Sequence, residues 1–210
     1  MNWLLYQFGR AFIGLIQALP LDLVARIGRA GGGLAWYVDG RHRRVALSNL
    51  ERVFGREKTA DERQEIAREN FRRLGENYLC ALKTAAMSTE ALRERVQWVG
   101  LHETMPADAC SAVGVIGHFG NFELYARIRD QLPGWSAATT YRALRQPGLN
   151  RVFQAVRERS GSLFFERRFE GEQLRQAMAR GKVLLALLAD QHAGDRGAWL
   201  PFLGIPCSCS

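Results

Sequence analysis

The sequence predicts an α/β protein: a mixed, mostly parallel sheet flanked by helices, preceded by a helical N-terminal segment. Three observations predict it. From Gln97 onward, short apolar runs alternate with helical patterns, the arrangement of strands joined by crossover helices. Residues 59–85 carry one long amphipathic period opened by a capping box. Residues 3–19 are strongly apolar but interrupted by Gln7, Arg10 and Gln17.

Taken in order, the first element is a helix over residues 3–19. Its uncharged run, 11–21, is too short to span a hydrocarbon core, which needs about 20 residues. Arg10 would also be costly at a bilayer centre. Trp3 and Tyr6 suit a lipid–water interface, so residues 1–40 read as a membrane-associating segment of helices, with a core-packing N-terminal helix as the alternative. Pro20 marks a turn, and a second helix covers 22–38, where Gly31, Gly32 and Gly33 allow a kink or close packing. In residues 1–56, eight arginines against three acids suit an anionic surface or, equally, a solvated face. Thr59-Ala60-Asp61-Glu62 then opens the long helix to about Ala85, with Ile66, Phe71, Leu74, Tyr78, Leu79 and Leu82 as its buried stripe. Strands are expected near 112–117, 136–141, 162–166 and 183–189, and helices at 121–131, 147–159 and 171–180. Residues 41–210 thus form the α/β domain, whose site belongs at the strand C-terminal ends.

Composition bounds the class. A chain of 210 residues, 47% hydrophobic with mean hydropathy −0.19, is foldable and is neither disordered nor a multispanning membrane protein. A net charge of +8 suits acidic partners: anionic lipid, phosphorylated sugars, acidic carrier proteins or nucleic acid. The excess is +4 in each half, and no nucleic-acid reader motif or basic tail is present, so nucleic acid is the weakest of these. Cys80, Cys110, Cys207 and Cys209 lack zinc-type spacing, which points to reduced thiols on a cytoplasmic side and no metal. The start lacks the pattern of a cleavable secretory signal.

The stretch Gly117-His118-Phe119-Gly120-Asn121-Phe122-Glu123 is the most informative. His118 sits where an apolar strand ends, and Glu123 sits in the first turn of the next helix. Gly120 permits a tight reversal, and Asn121 suits an N-cap. That turn can return Glu123 toward the imidazole, giving a base and the carboxylate that orients it. A structural histidine and a dipole-compensating glutamate are the plain alternative. No serine or cysteine stands beside the pair as a nucleophile, so the hydroxyl to be activated belongs to a substrate.

This stretch resembles the H-x4-D/E block of the bacterial lipid A late acyltransferases, within the lysophospholipid acyltransferase superfamily. Further segments are similar to that family in the same order. Arg43-Arg44-Val45-Ala46-Leu47-Ser48-Asn49-Leu50 resembles its opening segment. Tyr141-Arg142-Ala143-Leu144 resembles its Tyr-Arg-Pro-Leu block, with alanine for proline. Gly181-Lys182-Val183 leading to Ala189-Asp190-Gln191-His192 resembles Gly-Gly-Val…Asp-Gln-Asp, with histidine for the last acid. Pro201-Phe202-Leu203-Gly204-Ile205-Pro206 resembles Pro-Phe-Phe-Gly-x-Pro. Members of that family normally continue well beyond this last block, so a C-terminally truncated chain is expected.

The resemblance implies an acyltransferase at the cytoplasmic face of the inner membrane, with an acyl-carrier-protein or acyl-CoA thioester as co-substrate and no other cofactor. A lipid A precursor or related glycolipid is the implied acceptor. His118 would deprotonate its hydroxyl, with Glu123 orienting the ring and balancing charge. Amides at Gly120 and Asn121 are candidates for the oxyanion. Arg142 is the first candidate for anionic substrate groups, with Arg145, Arg157 and Arg159 behind it, because guanidinium binds phosphate bidentately. Asp190, ending an apolar strand, is a candidate to polarise a substrate group or simply to form a turn. Phe119, Phe122, Phe164, Phe165, Trp199 and Phe202 could line an acyl trough or form core. Another lipid acceptor, a hydrolase using the same histidine, and a non-catalytic peripheral membrane protein are the competing readings. Oligomeric state is not legible.

Overall fold

The computed structural model describes residues 2–105 and 110–209. They divide into two compact units. The first comprises Met1–Ala18, Ala81–Gly117 and Phe122–Leu188, and the second Leu19–Cys80, His118–Asn121 and Ala189–Ser210.

The first unit holds a four-stranded parallel sheet in the order β1-β4-β2-β3, formed by β1 (Ala112–Ile116), β2 (Ser136–Tyr141), β3 (Leu163–Glu166) and β4 (Val183–Leu188). All four strands lie within a residue or so of their expected positions. The uninterrupted apolar run of β4 explains its central place, since a strand covered on both faces cannot alternate with polar residues. β1 is an edge strand, and Val113 and Val115 on it are exposed. Ile128 of a 3₁₀ helix, Phe122–Gln131, and Leu132 just beyond its end pack with Ala137 and Leu184 in one cluster. Ala138, Val183 and Leu185 form another with Leu174 and Met178 of α8 (Gly171–Arg180). The helix α1 (Asn2–Ala18) lies against α7 (Pro147–Glu158), with Gly9 facing Val152 and Leu149.

The segment after Asn121 is a 3₁₀ helix where an α-helix was expected. A ten-residue 3₁₀ run is long, and it is held by outside partners. Ser162 Oγ donates to the Ala126 carbonyl at 2.5 Å, taking an acceptor that an α-helix would use internally. Arg127 donates to the Met87 carbonyl and to the Asp130 carboxylate, which also accepts from Thr89 of the short helix α5 (Thr89–Arg93). A single turn, α6 (Leu101–Thr104), lies between α5 and β1.

The second unit is built on helices α2 (Leu21–Val38), α3 (Gly40–Phe54) and most of α4 (Ala60–Thr84). The α2 glycines serve close packing, not a kink: a Cβ on Gly28 would lie 2.6 Å from the Gly75 carbonyl, and one on Gly32 only 2.1 Å from that of Phe71. Arg29 of α2 fixes the crossing by pairing with Glu69 and Glu76 of α4. This contact corrects the expected stripe on α4. Ala67 and Phe71 are buried in line with Gly75, whereas Ile66, Leu74 and Tyr78 are exposed. Two backbones can approach this closely only through small side chains, so the contact face is the one that looks least hydrophobic. Phe71 meets Trp36 edge to face with centroids 5.4 Å apart, and Ala46, Leu47 and Leu50 of α3 close that cluster.

The helix α3 was not expected. Asp39 separates it from α2 and caps it by accepting from the His42 amide at 3.1 Å. The unit also contains the hairpin β5 (Ala198–Phe202) and β6 (Ile205–Cys209), antiparallel and turning at Leu203 and Gly204, both with positive φ. No disulfide joins the cysteines among the described residues.

Candidate active site

His118 and Asp190 meet because two strands run parallel in register. β1 and β4 pair Ala112 with Leu184 through to Ile116 with Leu188. Two residues beyond each end stand His118 and Asp190. The Asp190 carboxylate accepts twice from the same residue: Oδ2 from the His118 backbone amide at 2.7 Å, and Oδ1 from the ring Nδ1 at 2.7 Å. Gly120 then turns the chain with φ of 59°, a conformation in which a side chain would be strained. Gly120 and Asn121 occupy this turn immediately before the 3₁₀ helix.

Partial burial pushes the Asp190 carboxyl up, but the hydrogen bonds from the ring and backbone of His118, with Asp190's own amide, outweigh it and hold the group below its ordinary range. An ionised carboxylate only accepts, so Nδ1 of a neutral His118 carries the ring proton and Nε2 keeps its lone pair. With 29% of its side chain exposed, His118 is reachable while its ring is fixed. A base in a defined tautomer, next to a left-handed glycine turn, is equipped to take a proton from a bound hydroxyl.

The expectation that Glu123 is the carboxylate on the His118 ring is corrected at one point: Nδ1 faces Asp190. Glu123, in the first turn of the 3₁₀ helix, accepts from Arg157 Nη2 at 3.4 Å. Arg157 also stacks on Tyr141 at 5.5 Å and Phe164 at 5.6 Å from the ring centroids. That guanidinium is therefore held from three directions by β2, β3 and the 3₁₀ helix. Sequence reading ranked it level with Arg145 and Arg159, and only the neighbourhood of Tyr141 and Phe164 separates them.

Arg142 and Arg145 lie exposed in the loop from β2 to α7. Arg159 is exposed as well, and its guanidinium donates to Gln17 Oε1 of α1 at 3.0 Å, which makes it a tie between α1 and the end of α7. Of the aromatic candidates, Phe165 packs beside the cluster of Ala138, Val183 and Leu185. Phe119, Trp199 and Phe202 are exposed, Phe119 almost fully at 92%. Among the described residues, no group of three His, Cys, Asp or Glu side chains is placed to hold a metal ion.

No curated protein matches the sequence closely enough to stand as a relative. The family model described as bacterial lipid A biosynthesis acyltransferase matches residues 1–210. A strand-end histidine in a fixed tautomer and a chain-long family match agree, and the chain belongs to the bacterial lipid A biosynthesis acyltransferases.

Proposed function

We propose that this O-acyltransferase moves a fatty acyl chain from an acyl-carrier-protein thioester to a hydroxyl of a lipid A precursor. The observation that carries the reading is the double hydrogen bond from His118 to Asp190, which leaves Nε2 as a base. The acceptor hydroxyl gives its proton to Nε2 as its oxygen attacks the thioester carbonyl. Asp190 stabilises the imidazolium so formed. The tetrahedral oxyanion is met by amides of the Gly120–Asn121 turn. Collapse breaks the carbon–sulfur bond, and the imidazolium returns its proton to the departing thiolate. No acyl-enzyme forms. Glu123 acts in this reading through Arg157, fixing a guanidinium suited to the phosphates of the acceptor. Arg142 and Arg145 add exposed positive charge for the same groups. The thioester is already activated, so no further cofactor is required.

The acceptor is a membrane lipid, and α1 has the surface for reaching it. Leu4, Phe8, Phe12 and Leu15 recur at helical spacing and are 50–73% exposed, with Trp3 beside them. Arg10 stacks on Tyr6 at 5.6 Å, and Arg151 of α7 approaches the same ring at 5.7 Å. No helix among the described residues is long and apolar enough to cross a membrane. We place α1 in the cytoplasmic interface of the inner membrane, its apolar stripe toward the acyl chains, with Arg10 and the neighbouring Arg151 of α7 at headgroup level. His118→Ala tests the chemistry: transfer from labelled acyl-carrier protein should fall about 10²–10⁴-fold with an unchanged thermal melt. Near-normal turnover would overturn the assignment.

A further inference from the structure

The helix α3 divides cleanly into two faces. Ala46, Leu47 and Leu50 pack on the Trp36 cluster, and Arg43 turns inward to donate to the Trp36 carbonyl at 3.0 Å and stack on its ring. The opposite face presents Arg41, Arg44, Val45, Ser48, Asn49 and Arg52, all exposed, five of them lining a shallow depression. Helical geometry spaces Arg44 and Arg52 about 12 Å apart, on one line with Arg41 and Ser48.

Arg41 at one end of this face lies within reach of the Asp39 charge, whereas Arg44 and Arg52 are uncompensated. The neighbouring α4 arginines are matched: Arg68 and Arg72 with Glu65, Arg73 with Glu69 and Glu76. Glu51, the one acid within α3, pairs with Arg63. Arg44 and Arg52 have no ion-pair partner among the described residues, and nearby Asp39 is occupied by His42. The face also differs from the lipid-type surface of α1. Its one exposed large apolar residue is Val45, and hydrogen-bonding Ser48 and Asn49 fill the space between arginines. A lipid surface rewards apolar insertion, whereas carboxylates on a helix, repeating every three to four residues, match guanidinium groups at this spacing.

We propose that the Arg41–Arg44–Ser48–Arg52 stripe of α3 docks an acidic helix of a protein partner, and, resting on the acyl-transfer reading above, that this partner is the donor's carrier protein. Contact is electrostatic and rim-like, so it sets encounter and apparent affinity and leaves the chemical step alone.

The test compares the whole chain with its Arg44→Glu/Arg52→Glu variant, and with Arg44→Gln/Arg52→Gln as the milder change should the reversal unfold it. Binding of fluorescently labelled bacterial acyl-carrier protein is followed by anisotropy, and transfer is measured from both acyl-carrier protein and acyl-pantetheine. Carrier binding and the carrier KM should weaken by about tenfold or more, more steeply at low salt, while transfer from acyl-pantetheine stays within twofold. Unchanged carrier binding, or equal losses with both donors, overturns the docking surface. So does intact carrier binding with lost affinity for phosphatidylglycerol vesicles, which would make the stripe lipid-facing. If the wild-type chain transfers from neither donor, the acyl-transfer reading fails, and the binding measurement still decides the stripe.

Discussion

Asp190→Asn replaces one oxygen by an NH₂ group and leaves the shape unchanged. In the native pair two donors, the His118 amide and Nδ1–H, each meet an oxygen at 2.7 Å. Asparagine offers one oxygen and one donor. With its oxygen on the backbone amide, its NH₂ faces Nδ1, which must then accept, and the ring proton moves to Nε2. With its oxygen on Nδ1–H, two donors oppose each other at the backbone, and an unmade hydrogen bond costs about 1–3 kcal/mol. The productive tautomer is thus depleted by about 5- to 150-fold, since a factor of ten is 1.4 kcal/mol. Loss of the negative charge beside the imidazolium adds to this, giving a fall in kcat of about 10²–10⁴-fold with little change in KM. The assay is steady-state transfer, paired with ¹⁵N NMR of the histidine ring, which should report the proton on Nδ1 in the native protein and on Nε2 in the variant. A pH titration supplies a control. The folded Asp190 carboxyl lies below its ordinary range, so its stabilising contribution is full above that range and fades as pH falls through the lowered value. The asparagine variant should lack this acid-side component. A folded variant with turnover within threefold of native, or a native ring protonated on Nε2, would refute the reasoning.

Two further outcomes follow from the packing. Gly28→Ala puts a methyl 2.6 Å from the Gly75 carbonyl, so α2 and α4 must separate, and a loss of about 1–3 kcal/mol is expected in chemical denaturation; unchanged stability would mean the helices do not cross there. Phe8→Ser with Phe12→Ser removes apolar surface from the exposed stripe of α1 and should shift the protein from pelleted vesicles to the supernatant without altering its melt, whereas full pelleting would place the anchor elsewhere.

Much of this architecture was legible because local chemistry encodes it. Strands β1 to β4 are apolar runs bounded by turn residues, and Thr59 and Glu62 form the expected capping box, with Glu62 accepting from the Thr59 amide at 2.7 Å. The helix α3 is hard to see in the sequence because its arginines read as charge for an anionic surface or a solvated face, although Asp39 is a usable cap signal. The hairpin is hard to see because Pro201 and Pro206, residues that weaken a strand assignment, stand directly opposite each other, and Leu203 takes a left-handed φ usually left to glycine or asparagine.

By itself the sequence determined the alternation of strands and helices, the family, and a histidine at a strand end, since each rests on neighbouring residues or on a continuous pattern. Tertiary structure alone decided which carboxylate reads Nδ1 of that histidine. Glu123 is five residues away along the chain and Asp190 seventy-two, yet Asp190 is brought opposite by the pairing of β1 with β4, and strand order is a property of the folded sheet that no local spacing records. The same holds for Arg157, singled out from its neighbours by Tyr141, Phe164 and Glu123, and for α4, whose contact face was chosen by how closely Gly28, Gly32 and Gly75 let two backbones approach.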